Sequence, residues 1–257
     1  MRIPKTPVDP APAGSNRPPA YTNKNSHWWD GSNIYGSTLD EQKILRTGSG
    51  GKLKVQDDGR LFFDETVGTE ITGSRDNLWL GLSLLHSLFS REHNAVCDMF
   101  KAKHPDWDDE RLFQQSRLVC AALMAKIHTI EWTPAILPHP LLVLALNTNW
   151  HGLLPRLQNV FKNLADSDLI SGIPGSPTDH HGTPYSLTEE FTSVYRMHSL
   201  MPDDFEIRSV KDGKLLGSYT LPEVAGRAGR KVIEKFDCAD LFYSLGVAYP
   251  GALRLHN

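Results

Sequence analysis

The chain has 257 residues with 40% hydrophobic and 22% charged side chains and a formal net charge of -3, which gives ample material for a core and no general attraction for nucleic-acid phosphates or anionic lipid. Cys97, Cys120 and Cys238 are odd in number and far apart, which excludes a disulfide scaffold, a zinc ribbon or a thioredoxin motif. No apolar run approaches the roughly 20 residues of a membrane span, and the opening residues do not read as a secretory signal, so the expected location is cytoplasmic or at a membrane periphery.

Residues 1–24 carry Pro4, Pro7, Pro10, Pro12, Pro18 and Pro19 and read as an extended segment, because proline fixes φ and removes a hydrogen-bond donor. The remainder, 25–257, reads as one domain portion. Gly50, Gly51 and Gly59 bracket two short strand-like runs, Lys52 to Val55 and Arg60 to Phe63, which suggest a surface hairpin. From Leu78 the pattern turns helical: Leu82, Leu85, Phe89, Val96 and Phe100 recur at three, four and seven residues, predicting a helix of about 25 residues. Pro105 breaks it. Asp106 or Asp108 can cap a second helix whose period continues through Leu112, Ser116, Val119, Leu123, Ile127 and Ile130 to Trp132, and Pro134, Pro138 and Pro140 stop it. Ser186 with Glu189 makes a capping box for a third helix running to Leu200. A small hairpin at Lys211 to Leu221 and a final amphipathic segment complete a mostly α architecture with small β-hairpins.

Eleven histidines raise the question of which could be ligands, acids or bases near neutral pH. His86 and His93 on the first helix read as satisfied core histidines, and His180 and His181 in a Pro/Gly loop as structural. No HExxH spacing occurs. Tyr195 and His198 are three apart on the third helix and share a face; an imidazole there suits haem iron and a neighbouring phenol suits one-electron oxidation, while the same spacing also serves core packing. In SHWWDGS, Ser26, Trp28 through its carbonyl, Asp30 and Ser32 could offer the hard oxygen donors that calcium prefers, and equally make an ordinary turn.

WWDGSNIYGS, HSLFSREHN, DERLFQQSRLVCAALMAKIHTIEWTPAIL and YRMHSLMPDDF occur in an order that resembles the haem peroxidase-cyclooxygenase superfamily, and within it the fatty-acid α-dioxygenase branch. The resemblance covers about Asn25 to Asn257 and implies the mostly helical fold of that superfamily. His198 then matches the proximal haem ligand and Tyr195 the tyrosine whose radical takes the α-hydrogen of a fatty acid, after which dioxygen adds to give a 2-hydroperoxy fatty acid. His128 and Thr133 match the substrate-carboxylate positions, Arg75 a haem-side arginine, and Ser26, Trp28, Asp30 and Ser32 the calcium loop. Leu78 stands where mammalian relatives esterify a glutamate to haem, so haem b would be held without a covalent bond.

The resemblance also implies a distal histidine ahead of the calcium loop, yet no histidine precedes His27. The arginine completing the carboxylate clamp and the asparagine orienting the proximal histidine would come after Asn257. The chain therefore reads as the central portion of a larger domain, with Met1 an internal methionine or a shortened start. Three functions stay open on the sequence: a haem-dependent fatty-acid dioxygenase using dioxygen, a general haem peroxidase using peroxide, and an inactive portion that at most binds haem or lipid. Membrane attachment and oligomeric state are open as well.

Overall fold

A computed structural model describes residues 8–9, 16, 20–21, 26, 28–75, 78–151, 189–195 and 200–251. The chain forms two compact units, one of residues 1–26, 31–116 and 188–257, the other of residues 27–30 and 117–187.

Within the first unit, the proline-rich segment contributes β1 (Val8–Asp9) and β2 (Ala20–Tyr21), paired antiparallel. Then come α1 (Ser32–Tyr35) and α2 (Leu39–Leu45), the second started by a complete capping box between Thr38 and Glu41. The expected hairpin between 52–55 and 60–63 does not form. Phe63–Asp64 (β3) instead pairs with Thr69–Glu70 (β4), and Leu53 bridges to Arg46. Gly59, at φ 82°, still makes the tight turn, with Gln56 N donating to Arg60 O at 2.8 Å. The turn chemistry was readable, and the partner strand was not.

The long helix α3 is Leu80–Lys103, and His104 ends it before Pro105. The next helix, α4 (Asp109–Lys126), is capped by Asp108, whose Oδ1 accepts from Arg111 N at 2.8 Å. Helix α3 packs against α1 and against two later helices, α8 (Gly226–Lys235) and α9 (Cys238–Val247). Between them lies a larger hairpin than expected, β5 (Asp204–Arg208) with β6 (Leu215–Thr220). A core of Leu80, Leu84, Phe205, Ile207, Val224, Val232, Ile233 and Leu241 joins these elements, with Trp79 against Phe205 at 5.3 Å. Such burial is worth about 1.5–3 kcal/mol per large aliphatic side chain. Gly73 lets the chain cross α1: a Cβ there would lie 2.3 Å from Gly36 N and Ser32 O. The third predicted helix is seen as α7 (Glu189–Val194), which ends before Tyr195 and not near Leu200 as expected; its proposed cap, Ser186, lies outside the described residues.

The second unit departs from the sequence reading: the helix changes its winding before Pro134 and runs past it, and a further helix that was not expected starts at Pro140. The period through to Trp132 predicts continuous α-helix, but Ile127–Trp132 is π-helical, followed by α5 (Thr133–Ile136) and α6 (Pro140–His151). Pro134 accounts for this. It has no N–H, and its ring crowds the carbonyl four residues back, so the helix widens by one residue before it stops.

Candidate active site

Tyr195 directly follows α7 and is half exposed, its ring stacked on Phe191 with centroids 5.3 Å apart and planes 12° apart. The Phe191–Tyr195 spacing of four residues is the i,i+4 geometry that places both rings on one helical face. His198 lies outside the described residues. Arg75, a quarter exposed, is ion-paired through Nη1 with Asp64 Oδ2 at 3.1 Å. The amides of Val67 and Thr66, and then Arg75, hold the Asp64 carboxyl below the usual carboxylate range. Sequence reasoning did not foresee Asp64 as the partner, because it lies eleven positions earlier and a β-turn brings it there.

In the second unit the π segment brings the two expected carboxylate-binding residues together. Five positions on an α-helix of 3.6 residues per turn lie about 140° apart. A π turn closes its hydrogen bond over five residues instead, and here His128 O accepts both the Thr133 N–H and the Thr133 hydroxyl, the latter at 2.7 Å. The His128 ring sits against Trp29 at 5.0 Å and Trp132 at 5.1 Å. Short π segments recur at functional sites because they re-aim side chains at the cost of one ill-fitting turn.

Of the expected calcium loop, Trp28 has an exposed ring, and Asp30 is bound by Arg117, whose Nε donates to Asp30 O at 3.0 Å while Nη2 lies 3.3 Å from Oδ2. Ser32 is the first residue of α1, entered through Gly31 at φ 66°. Among the described residues no group of three or more His, Cys, Asp or Glu is arranged to hold a metal ion.

A buried polar network, which sequence reasoning missed as a network, runs along α3. The Tyr35 hydroxyl is 3.0 Å from His93 Nδ1, and His93 Nε2 is 2.9 Å from Gly51 O. A carbonyl only accepts, so Nε2 carries the proton and Nδ1 accepts from the tyrosine. Cys97 Sγ lies 3.4 Å from the same Nε2 and donates to Ser116 Oγ at 3.1 Å. Phe113 meets both rings edge-on, at 5.8 Å from Tyr35 and 5.4 Å from His93. Further toward the start of α3, His86 Nδ1 is 2.9 Å from Thr72 Oγ1. Burial holds both imidazoles neutral, down to about 4 in each case, and it raises the Cys97 thiol. These groups are enclosed and serve the fold, as the reading of His86 and His93 as core histidines anticipated.

The animal haem peroxidase profile matches residues 1–256. The chain belongs to that family. It is 39% identical over 245 residues to alpha-dioxygenase 1 of Capsicum annuum, covering 92% of this chain and 38% of that protein. It is 38% identical to alpha-dioxygenase 2 of Arabidopsis thaliana, covering 100% of this chain and 41% of that protein. Among solved structures, the fatty acid alpha-dioxygenase of Arabidopsis thaliana superposes with a TM-score of 0.84 at 38% identity, over 96% of this chain and 40% of that one. A variant of the Oryza sativa enzyme, crystallised with palmitic acid, superposes with a TM-score of 0.80 at 36% identity, over 94% and 41%. The chain thus spans about two fifths of the length of these relatives, and it shares their mostly helical peroxidase fold.

Proposed function

We propose that this chain forms part of a haem-dependent fatty-acid α-dioxygenase, oxygenating a long-chain fatty acid at its α-carbon to a 2-hydroperoxy acid. The observation that carries the reading is the identity of 38–39% to alpha-dioxygenases over nearly the whole chain. The residues fit the cofactor in kind: an exposed phenol at Tyr195, a guanidinium at Arg75, and His198 three residues beyond the tyrosine in sequence. His198 would ligate the iron and Arg75 would face the porphyrin carboxylates while keeping its bond to Asp64. Bound haem supplies one-electron oxidising power.

The chain's own residues would do the rest. Tyr195 gives up its phenolic hydrogen and then takes the α-hydrogen of the acid. For that transfer to select one carbon, the carboxylate must be fixed at a set distance, and a positioned hydrogen-bond donor does this most cheaply. His128 offers its ring N–H, and Thr133 offers its hydroxyl once that proton turns from the His128 carbonyl to the substrate. Calcium suits the oxygen donors of Ser26, Trp28, Asp30 and Ser32, and it would share the Asp30 carboxylate with Arg117.

The test is reconstitution of the full chain with haemin. The reading expects a Soret band lost in His198→Ala, and oxygen uptake with palmitate lost in Tyr195→Phe while the band stays. Stoichiometric haem with equal uptake by wild type and Tyr195→Phe would refute the tyrosine's role. A folded chain with no haem would refute the enzyme reading.

A further inference from the structure

Histidines of this chain are fixed in two ways. His86 and His93 engage their ring nitrogens inside the fold, the first with Thr72 Oγ1 and the second with the Tyr35 hydroxyl and Gly51 O. At His128 the contacts of the ring are aromatic: it lies 5.0 Å from the indole of Trp29, with planes 58° apart, and 5.1 Å from that of Trp132, with planes 25° apart. Aromatic rings at such separations attract one another. The nearly parallel Trp132 covers a face of the imidazole, whereas both nitrogens lie in the ring plane, at its edge. Packing against indoles therefore fixes this ring without using the groups that form its hydrogen bonds.

Both indoles are brought there by contacts within the second unit. Trp132 closes the π segment, four residues from His128 and about one turn away. Trp29 comes from the separate stretch 27–30. Its neighbour Asp30 is bound by Arg117, with Nε donating to Asp30 O at 3.0 Å and Nη2 lying 3.3 Å from Oδ2. That ties the arm carrying Trp29 to α4, the helix that leads into the π segment. The Thr133 amide and hydroxyl both donate to His128 O and so set the backbone there, but an imidazole still turns about two side-chain bonds. An anchor whose N–H is already aimed binds more tightly than one that must be ordered when the acid arrives, because its freedom was given up on folding.

On the reading of His128 as the residue that meets the substrate carboxylate, we infer that Trp29 and Trp132 are its positioning residues: their indoles hold the His128 ring with its N–H edge presented to the fatty acid. They act through the imidazole, and neither has to touch the carboxylate.

The experiment is equilibrium dialysis of the full chain against palmitate and against hexadecanol, the alcohol of the same chain length, which has no carboxylate. The variants are Trp29→Leu, Trp29→Phe, Trp132→Leu, His128→Gln and Trp29→Leu/His128→Gln, each checked for folding by far-ultraviolet circular dichroism. Trp29 is the deciding position, because its ring is more than half exposed and its loss disturbs little packing. The wild type should prefer palmitate, and His128→Gln should lose that preference. Trp29→Leu and Trp132→Leu should each bind palmitate about three- to tenfold more weakly, with hexadecanol binding unchanged. Trp29→Phe should recover most of the loss, and the double variant should bind no more weakly than His128→Gln alone. The His128 ring protons, assigned by NMR through their absence in His128→Gln, should shift in Trp29→Leu. The inference is overturned by wild-type palmitate affinity in either leucine variant, by no recovery in Trp29→Phe, or by losses that add in the double variant. An equal loss for palmitate and hexadecanol also overturns it, since that marks a merely structural role. No preference for palmitate in the wild type, or a preference kept in His128→Gln, would instead refute the reading of His128 as the anchor, and the inference with it.

Discussion

His86 and His93 set a pH dependence of folding that can be calculated. Both are buried and neutral, with folded values of about 4 against 6.5 when free. At His86 burial is the whole cause. At His93 burial is the largest cause, Arg46 pushes the same way, and the Gly51 carbonyl opposes it by accepting from the ring. Between pH 6.5 and 4 the unfolded chain binds protons that the folded chain refuses, so folding stability falls as pH falls through that window. The full effect, reached below both values, is about 3 kcal/mol per histidine, a large part of the roughly 5–15 kcal/mol that typically holds a domain together. From about pH 7 to about pH 5.5 each site should contribute a loss of a little over ~1 kcal/mol. Urea unfolding at a series of pH values between neutrality and about pH 5 measures it. Asp64, Glu110, Asp212 and Glu223 have lowered values, so their losses come at lower pH. His93→Gln, whose amide can still donate to Gly51 O, should be less stable at neutral pH yet show about half of the histidines' contribution to the slope, and the double variant with His86→Gln should lose that contribution, leaving the dependence of opposite sign that Glu70 sets. Identical slopes in wild type and double variant, or a folded-state imidazole titrating at its free value by NMR, would refute the reasoning.

Gly51→Ala should cost about 3 kcal/mol or prevent folding, because the residue sits at φ 72° and a Cβ would lie 2.6 Å from Phe113 N, forcing the carbonyl off His93; chemical denaturation checks it. Glu70 is buried with its carboxyl raised by desolvation, so it costs stability as pH rises above the ordinary glutamate value, and Glu70→Gln should raise the melting midpoint at neutral pH with the gain shrinking as the solution is acidified toward that value. Cys97 and Cys120 are buried and Cys238 only partly so; a thiol reagent should modify Cys238 quickly in the native protein and the other two only on unfolding. If the Asp30 loop holds calcium, chelator should lower the melting midpoint and added calcium restore it, and Asp30→Asn should abolish that response.

What could be read from the sequence divides along physical lines. Signals that act locally came through: the 24 residues of α3, the break at Pro105, the Asp108 cap and the glycine turn at Gly59. Signals that depend on a distant partner did not, as with β3 choosing β4 over the run at 52–55, or Asp64 meeting Arg75. The π segment is intermediate. Pro134 marked the end of the helix, and the spacing of His128 and Thr133 made a shared site reasonable, but a period of 3.6 residues per turn did not show how the two residues bond. Their shared hydrogen bonds could be found only once the extra residue in the turn was seen. The proximal-ligand position, His198, came from the order of motifs alone.

The helix α3 shows most sharply why period and face are separate questions. The apolar stripe that predicts it includes Leu82 and Leu85, and both are exposed, as is Leu88. Its buried side instead carries Ser83, His86, Ser87, Ser90, His93 and Cys97. A polar face can be the inner one because its groups find partners within the protein: Ser87 Oγ donates to Ser83 O at 2.7 Å, Thr72 meets His86, Tyr35 and Gly51 meet His93, Cys97 meets Ser116, and Asn94 bonds Leu53 through both N–H and C=O at 2.8 and 2.9 Å. Once satisfied, such groups cost little to bury, whereas removing one partner strands the other. Apolar residues repeating on the opposite side are the mark of a helix made to be enclosed all round. The family and the shared fold then explain the helix on both sides: its polar face locks α1 and the Gly51 turn in place, and its leucine face has the composition of an interior surface in a larger haem peroxidase domain.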